Sequence, residues 1–128
     1  MLFRQPLRGS GWAISPASNG AWVARPFFGI RKDRRPPPAT RLLRIHGRSA
    51  PHLDVVELDA SPWALSGAAG VTWVAAGAYS HQVLRIDETR EPVVPVPVGV
   101  ASTVTDVQAA PLGAWVAQMR PNLLTRIC

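Results

Sequence analysis

Ala21-Trp22-Val23-Ala24, Thr72-Trp73-Val74-Ala75 and Ala114-Trp115-Val116-Ala117 are three versions of one short apolar phrase. A second phrase follows each: Leu42-Leu43-Arg44-Ile45, Gln82-Val83-Leu84-Arg85-Ile86 and Leu123-Leu124-Thr125-Arg126-Ile127. Its isoleucine recurs at a step of 41 residues, from Ile45 to Ile86 to Ile127. Upstream, Ile14, Leu65 and Val107 stand at one register, ten residues before Ala24, Ala75 and Ala117. Downstream, Asp54-Val55-Val56-Glu57-Leu58 corresponds roughly to the stretch from Pro92 to Gly99. One unit thus holds four β-type runs, separated by turn residues such as Gly20, Gly70, Ser80 and Gly113.

The Trp-Val-Ala runs do not alternate apolar with polar, which suits a strand covered on both faces. Short apolar runs are ambiguous between strand and helix by periodicity alone. Their length, β-branched content and bounding glycines favour strand, and 13 Pro and 10 Gly in 128 residues oppose long helices. Four antiparallel strands recurring at about 40 residues are the make-up of a β-propeller blade. The expected fold is therefore all-β, a partial β-propeller of about two and a half to three four-stranded antiparallel blades. A single domain over 1–128 divides into a candidate closure strand at 1–10, a first blade at 11–60 with a basic, Pro-rich loop at 26–41, a second blade at 61–101 and an incomplete third at 102–128.

The middle unit, "VTWVAAGAYSHQVLRIDETREPVVPVPVG", resembles the repeats of bacterial Tyr-Val-Thr-Asn propellers and their virginiamycin-B-lyase-like relatives. The resemblance extends over residues 11–25, 41–101 and 102–127 and implies a WD40-like all-β repeat architecture. Two departures stand out. The Asn that closes the second run in that family is replaced by Arg25, Ala76 and Gln118, and the Asp after Arg-Ile survives only as Asp87, with His46 and Cys128 at the matching places.

Propellers close with about 4–8 blades, so a 41-residue unit needs at least about 160 residues for a ring. Two arrangements answer the shortfall. Either the chain is a piece of a longer propeller whose other blades lie elsewhere, or two chains assemble as a homodimer, with residues 1–8 supplying the outermost strand of the third unit. Repeat units that bury only one face need neighbours.

Net charge is +6 and unevenly placed. Residues 1–50 carry ten basic residues and one acid, a balance of +9, whereas residues 51–128 carry four and seven, a balance of −3. The excess centres on the inserted loop, where Arg31, Lys32, Arg34, Arg35 and Arg41 form a candidate anion- or partner-binding site. Clustered Arg raises local anion concentration and suits bidentate phosphate contacts. The alternative is a solvated loop in a chain whose basic residues are almost all Arg. No nucleic-acid-reading module is present, so no nucleic acid is expected.

No run approaches the roughly 18 apolar residues of a membrane span. Residues 1–8 lack the apolar core of a secretory signal. As it stands the sequence points to the cytoplasm, with an extracytoplasmic place expected if a leader precedes it. One Cys excludes an internal disulfide framework.

Candidate chemistry is sparse. His46, His52 and His81 could be tested with Asp87 and Glu88 for a metal site of the lyase kind, but no pair has the short spacing of a metal motif. No nucleophile elbow or phosphate-cradling glycine loop occurs. No cofactor, metal or catalytic residue is assigned. Asp87-Glu88-Thr89-Arg90-Glu91 reads as a charged turn whose leading Asp bonds the backbone two residues on. The recurring Trp22, Trp73 and Trp115 are candidate ligand-binding residues, able to stack on sugar rings, or else packing residues between blades. The expected function is a non-catalytic binding or scaffold propeller. A self-assembling lectin-like propeller is the alternative, and a remnant of a metal-dependent lyase-like enzyme the third.

Overall fold

A computed structural model describes residues 13–17, 20–24, 41–47, 52–77 and 79–128. They form eleven strands in three antiparallel sheets, with no helix among the described residues. The chain is all-β. The first sheet runs β1 (Ala13–Ala17), β2 (Gly20–Ala24), β3 (Arg41–His46), β4 (His52–Glu57) in simple up-and-down order. The second runs β5 (Pro62–Ala68), β6 (Val71–Ala76), β7 (Gln82–Asp87), β8 (Val96–Gly99), and the third β9 (Thr103–Ala110), β10 (Gly113–Met119), β11 (Leu123–Ile127). Residues 1–10 and most of the basic loop, with Arg31, Lys32, Arg34 and Arg35, lie outside the described residues.

Strand pairing follows one register in all three sheets. Ile14 faces Val23, Leu65 faces Val74 and Val107 faces Val116. On the other side of each middle strand, Trp22 faces Arg44, Trp73 faces Arg85 and Trp115 faces Arg126. The β5–β6 hairpin is closed by two residues, Ala69 and Gly70, with φ of 53° and 79°. That is the left-handed pair a two-residue hairpin requires to match the twist of its strands.

The sheets pack face to face, β1 against β5 and β5 and β6 against β9. The middle sheet is covered on both sides, which explains why β6 shows no polar alternation. Thr72, Trp73, Val74 and Ala75 are all buried, but in two different cores. Val74 and Ile86 join Trp22, Ala24, Leu42 and Val56 between the first and second sheets. Trp73, Ala75 and Val83 join Val104, Val107, Ala114 and Val116 between the second and third. Period-two alternation persists; it divides one core from another rather than core from solvent.

Each outer face carries exposed apolar side chains among the described residues. Ile14 (71% exposed), Leu53 and Val55 lie exposed on the first sheet, and Trp115 (40%) and Leu124 (67%) on the third.

Candidate functional site

Each sheet places one Trp and one Arg directly opposite each other on its two central strands, and the surroundings of the three pairs differ. Trp22 is completely buried. Its Nε1 donates to Glu88 Oε1 at 2.5 Å, and the same oxygen accepts from Thr72 Oγ1 at 3.1 Å. Glu88 thereby clamps the first sheet to the second, at a buried place where a bare indole N–H would be costly.

The Arg44 guanidinium lies over the Trp22 ring, 5.5 Å from its centroid. It donates through Nε and NH2 to Asp54 Oδ2 at 3.1 and 2.7 Å, and through NH2 to Glu91 Oε1 at 3.4 Å. Asp54 is the residue opposite Arg44 on β4, so strand register delivers the pair. Burial works against the charge of Arg44, but hydrogen bonds to Asp54 and Glu91 outweigh it, and the guanidinium is held above its ordinary pKa. The hydrogen bond from Arg44 in turn holds the Asp54 carboxyl below the usual carboxylate range, opposing a smaller desolvation effect, with His46 adding to the lowering.

His46 and His52 face each other across β3 and β4, ring centroids 5.7 Å apart, and His46 Nε2 lies 2.8 Å from Asp54 Oδ2. His81 is exposed on the second sheet's β6–β7 connection, apart from the other two. Among the described residues no group of three or more His, Cys, Asp or Glu is placed to hold a metal ion. Asp87 accepts from Thr89 N at 3.0 Å and from Thr89 Oγ1 at 2.6 Å, the turn contact its position implies. Those bonds, the hydroxyl first, hold its carboxyl low.

Trp73 is 2% exposed and lines a cavity of about 290 Å³ between the second and third sheets, together with Arg85. Trp115 keeps one face open, with the Arg126 guanidinium 5.2 Å from its ring centroid. The three candidate tryptophans therefore fall into three settings: clamped, cavity-lining and half-exposed. Arg41, the described member of the basic cluster, pairs with Glu57 across β3 and β4 at 2.8 Å, with both side chains mostly exposed.

Sequence reasoning gave no binding role to Arg44 and Asp54, and considered Glu88 only as a turn residue or a companion of the histidines in a metal site. The signal was present in part, since Arg44, Arg85 and Arg126 recur at the 41-residue step. Nothing local marked Glu88, whose partners lie 66 and 16 residues away. Gln118, at one of the places where the repeat family carries Asn, is buried and donates through Nε2 to Ser102 O and Oγ at 3.3 and 3.1 Å while accepting from Thr125 Oγ1. It ties the start of the third sheet to its last two strands.

Comparison with family models, with curated proteins and with solved structures gave no match.

Proposed function

We propose that the three sheets are successive blades of a partial β-propeller of the Tyr-Val-Thr-Asn kind, and that the chain is a non-catalytic binding or scaffold module. The observation that carries this reading is the recurrence of one Trp–Arg pair at one register on three stacked sheets. On the first sheet that face is sealed by the second. On the third, the equivalent face carries Trp115, 40% exposed, and Leu124, 67% exposed. At the opposite end, Ile14, Leu53 and Val55 sit on the face whose counterpart in the middle sheet, with Leu65 and Val74, packs on the first. The two ends are thus complementary in kind: one is a Trp–Arg face and the other an aliphatic face. Adjacent exposed apolar residues of this sort are the usual mark of an interaction surface.

The partner such faces suit is another sheet of the same type, in a second copy or in further units. Sedimentation equilibrium of the wild-type chain and of Trp115→Lys tests it. The wild type is expected to associate end to end, and the lysine variant to be driven toward monomer because a charge would enter the joint. A wild type that stays monomeric and cooperatively folded at high concentration would remove the docking role. The chain would then be a binding module only through its own cavities.

A further inference from the structure

His46 closes β3 and His52 opens β4, and the register sets them directly opposite each other. Alternate residues of a strand share a face, so His46 lies on the same face as Arg44 and Trp22, toward the second sheet. Its Nε2 is 2.8 Å from Asp54 Oδ2, an oxygen that also accepts from Arg44 Nε and NH2 at 3.1 and 2.7 Å. The guanidinium keeps Asp54 ionised, and an ionised carboxylate only accepts. The proton of this contact therefore belongs to His46 Nε2, and Nδ1 of the neutral ring carries the lone pair. The two imidazoles lie 5.7 Å apart, centre to centre, with their planes tilted by 41°. An ion about 2.0–2.1 Å from one nitrogen of each ring sets the ring centres roughly 5–6 Å apart.

We propose that His46 and His52 form a two-imidazole site for a first-row divalent transition ion of the zinc kind, bound through His46 Nδ1 and one ring nitrogen of His52. Asp54 is a positioning residue here and not a ligand. Its Oδ2 is spent on Arg44 and His46, and by accepting from Nε2 it fixes the tautomer and orientation of the His46 ring, as carboxylates behind metal-binding histidines do. The local charge favours a cation, because the Arg44 guanidinium is faced by two carboxylates, Asp54 at 2.7 Å and Glu91 at 3.4 Å. Imidazole nitrogen suits zinc, copper and nickel, whereas magnesium and calcium prefer oxygen. The His46 side chain is 29% exposed and His52 is exposed, so the ion enters from solvent and water completes its coordination. The site lies on β3 and β4 alone, and it does not require that the sheets be propeller blades or that the outer faces dock.

The test is a titration of the intact chain with zinc chloride at neutral pH, and with magnesium chloride at matched ionic strength, followed by nitrogen NMR of the imidazole rings. The chain has three histidines, so His52→Asn and His81→Asn assign two rings by loss and leave His46 as the third. Zinc is expected to move His46 and His52 together, saturably and with one apparent Kd, the change in His46 falling on Nδ1 while Nε2 keeps its proton. Magnesium should leave both rings in place. His52→Asn should weaken the zinc binding read at His46 about tenfold or more, because a second imidazole is no longer held beside the first. His81→Asn, on the β6–β7 connection, should bind as the wild type does. A non-saturating response, separate constants for the two rings, coordination at His46 Nε2, an equal response to magnesium, or unchanged affinity in His52→Asn would overturn the proposal. Should His52→Asn fail to fold, the zinc and magnesium arms on the wild type decide it alone.

Discussion

The two sheet-to-sheet joints use one strand register and different glue. Between the first and second sheets, Trp22 and Arg44 are engaged by Glu88, Asp54 and Glu91, and polar groups close the rim of an apolar core. Between the second and third, Trp73 and Arg85 border a cavity, and the polar links are donated by backbone N–H groups, from Ala109 to Ser66 Oγ at 2.7 Å and from Val104 to Ser80 O at 2.9 Å. The same backbone arrangement therefore supports a joint whose Trp–Arg pair is engaged by carboxylates and one whose Trp–Arg pair borders a cavity.

Removing each tryptophan breaks the comparison most severely. Trp73 lies in the doubly covered sheet, yet Trp22, which is fully buried, has more to lose. Trp22 loses packing, an indole hydrogen bond and a cation–π partner together, and leaves Glu88 and Arg44 facing a void. Trp22→Ala is expected to cost about 5 kcal/mol and Trp73→Ala about 3 kcal/mol, at the two ends of the range for buried aromatics. Urea unfolding of both variants checks the order. Equal losses would mean that the acidic rim adds nothing to the first joint.

Close approach is the second difference. Gly67 on β5 lies so near β1 that an added Cβ would meet Pro16 O at 2.8 Å and Thr72 Oγ1 at 2.7 Å. At the matching place in the third sheet stands Ala109, which packs against the core between the second and third sheets. Gly67→Ala should force the first two sheets apart and cost about 2 kcal/mol, as overpacking does. Gly99, where an added Cβ meets nothing within 4 Å, is the control; Gly99→Ala should leave the thermal midpoint nearly unchanged. A tolerated Gly67→Ala would show that the first joint is looser than its geometry.

Much of the strand layout was legible from residues alone. The Trp-Val-Ala and Leu-Arg-Ile phrases are β2, β3, β6, β7, β10 and β11, as their length, β-branched content and the chain's wealth of Pro and Gly favour strand over helix. The position shared by Ile14, Leu65 and Val107 emerged as a real register, since antiparallel pairing preserves spacing across a hairpin. The division of β6 between two cores was not visible: Thr72 to Ala75 read as uniformly apolar, and only the flanking sheets distinguish Val74 from Trp73. The acids were illegible for a related reason. Asp54 and Glu88 act across strands and sheets, and nothing in their local sequence separates them from solvated turn residues.

Glu88 offers a finer test of the first joint. Its Oε1 serves both Trp22 Nε1 and Thr72 Oγ1, so Glu88→Ala abandons two donors in a largely buried place. A loss of about 2 kcal/mol is expected, the usual cost of stranding buried polar groups. In a double-mutant cycle with Trp22→Phe, which removes the indole donor while keeping an aromatic ring, the two changes should be less than additive. Strict additivity would show that Glu88 supports the turn rather than the joint.

The smallest effect separates the two joints by pH. Asp54 titrates below its ordinary range because Arg44 donates to it, outweighing its partial burial, and His46 adds to the effect. A carboxyl whose folded pKa is depressed binds protons less readily than in the unfolded chain. Its stabilisation is therefore complete above the unfolded value, about 4, and is lost as pH falls through the folded one. Asp54 is nearly half exposed, so solvent screening keeps the contribution small. Amide exchange protection, corrected for intrinsic rates, should fall with acid in β2 and β3 before it falls in β9 and β10, whose cavity is lined by no Asp or Glu side chain. Asp54→Asn should remove most of that difference, because the amide neither titrates nor draws on Arg44 as strongly. If β9 and β10 loosen first in the wild type, acid sensitivity belongs to the second joint, and the carboxylate rim is not what holds the first one.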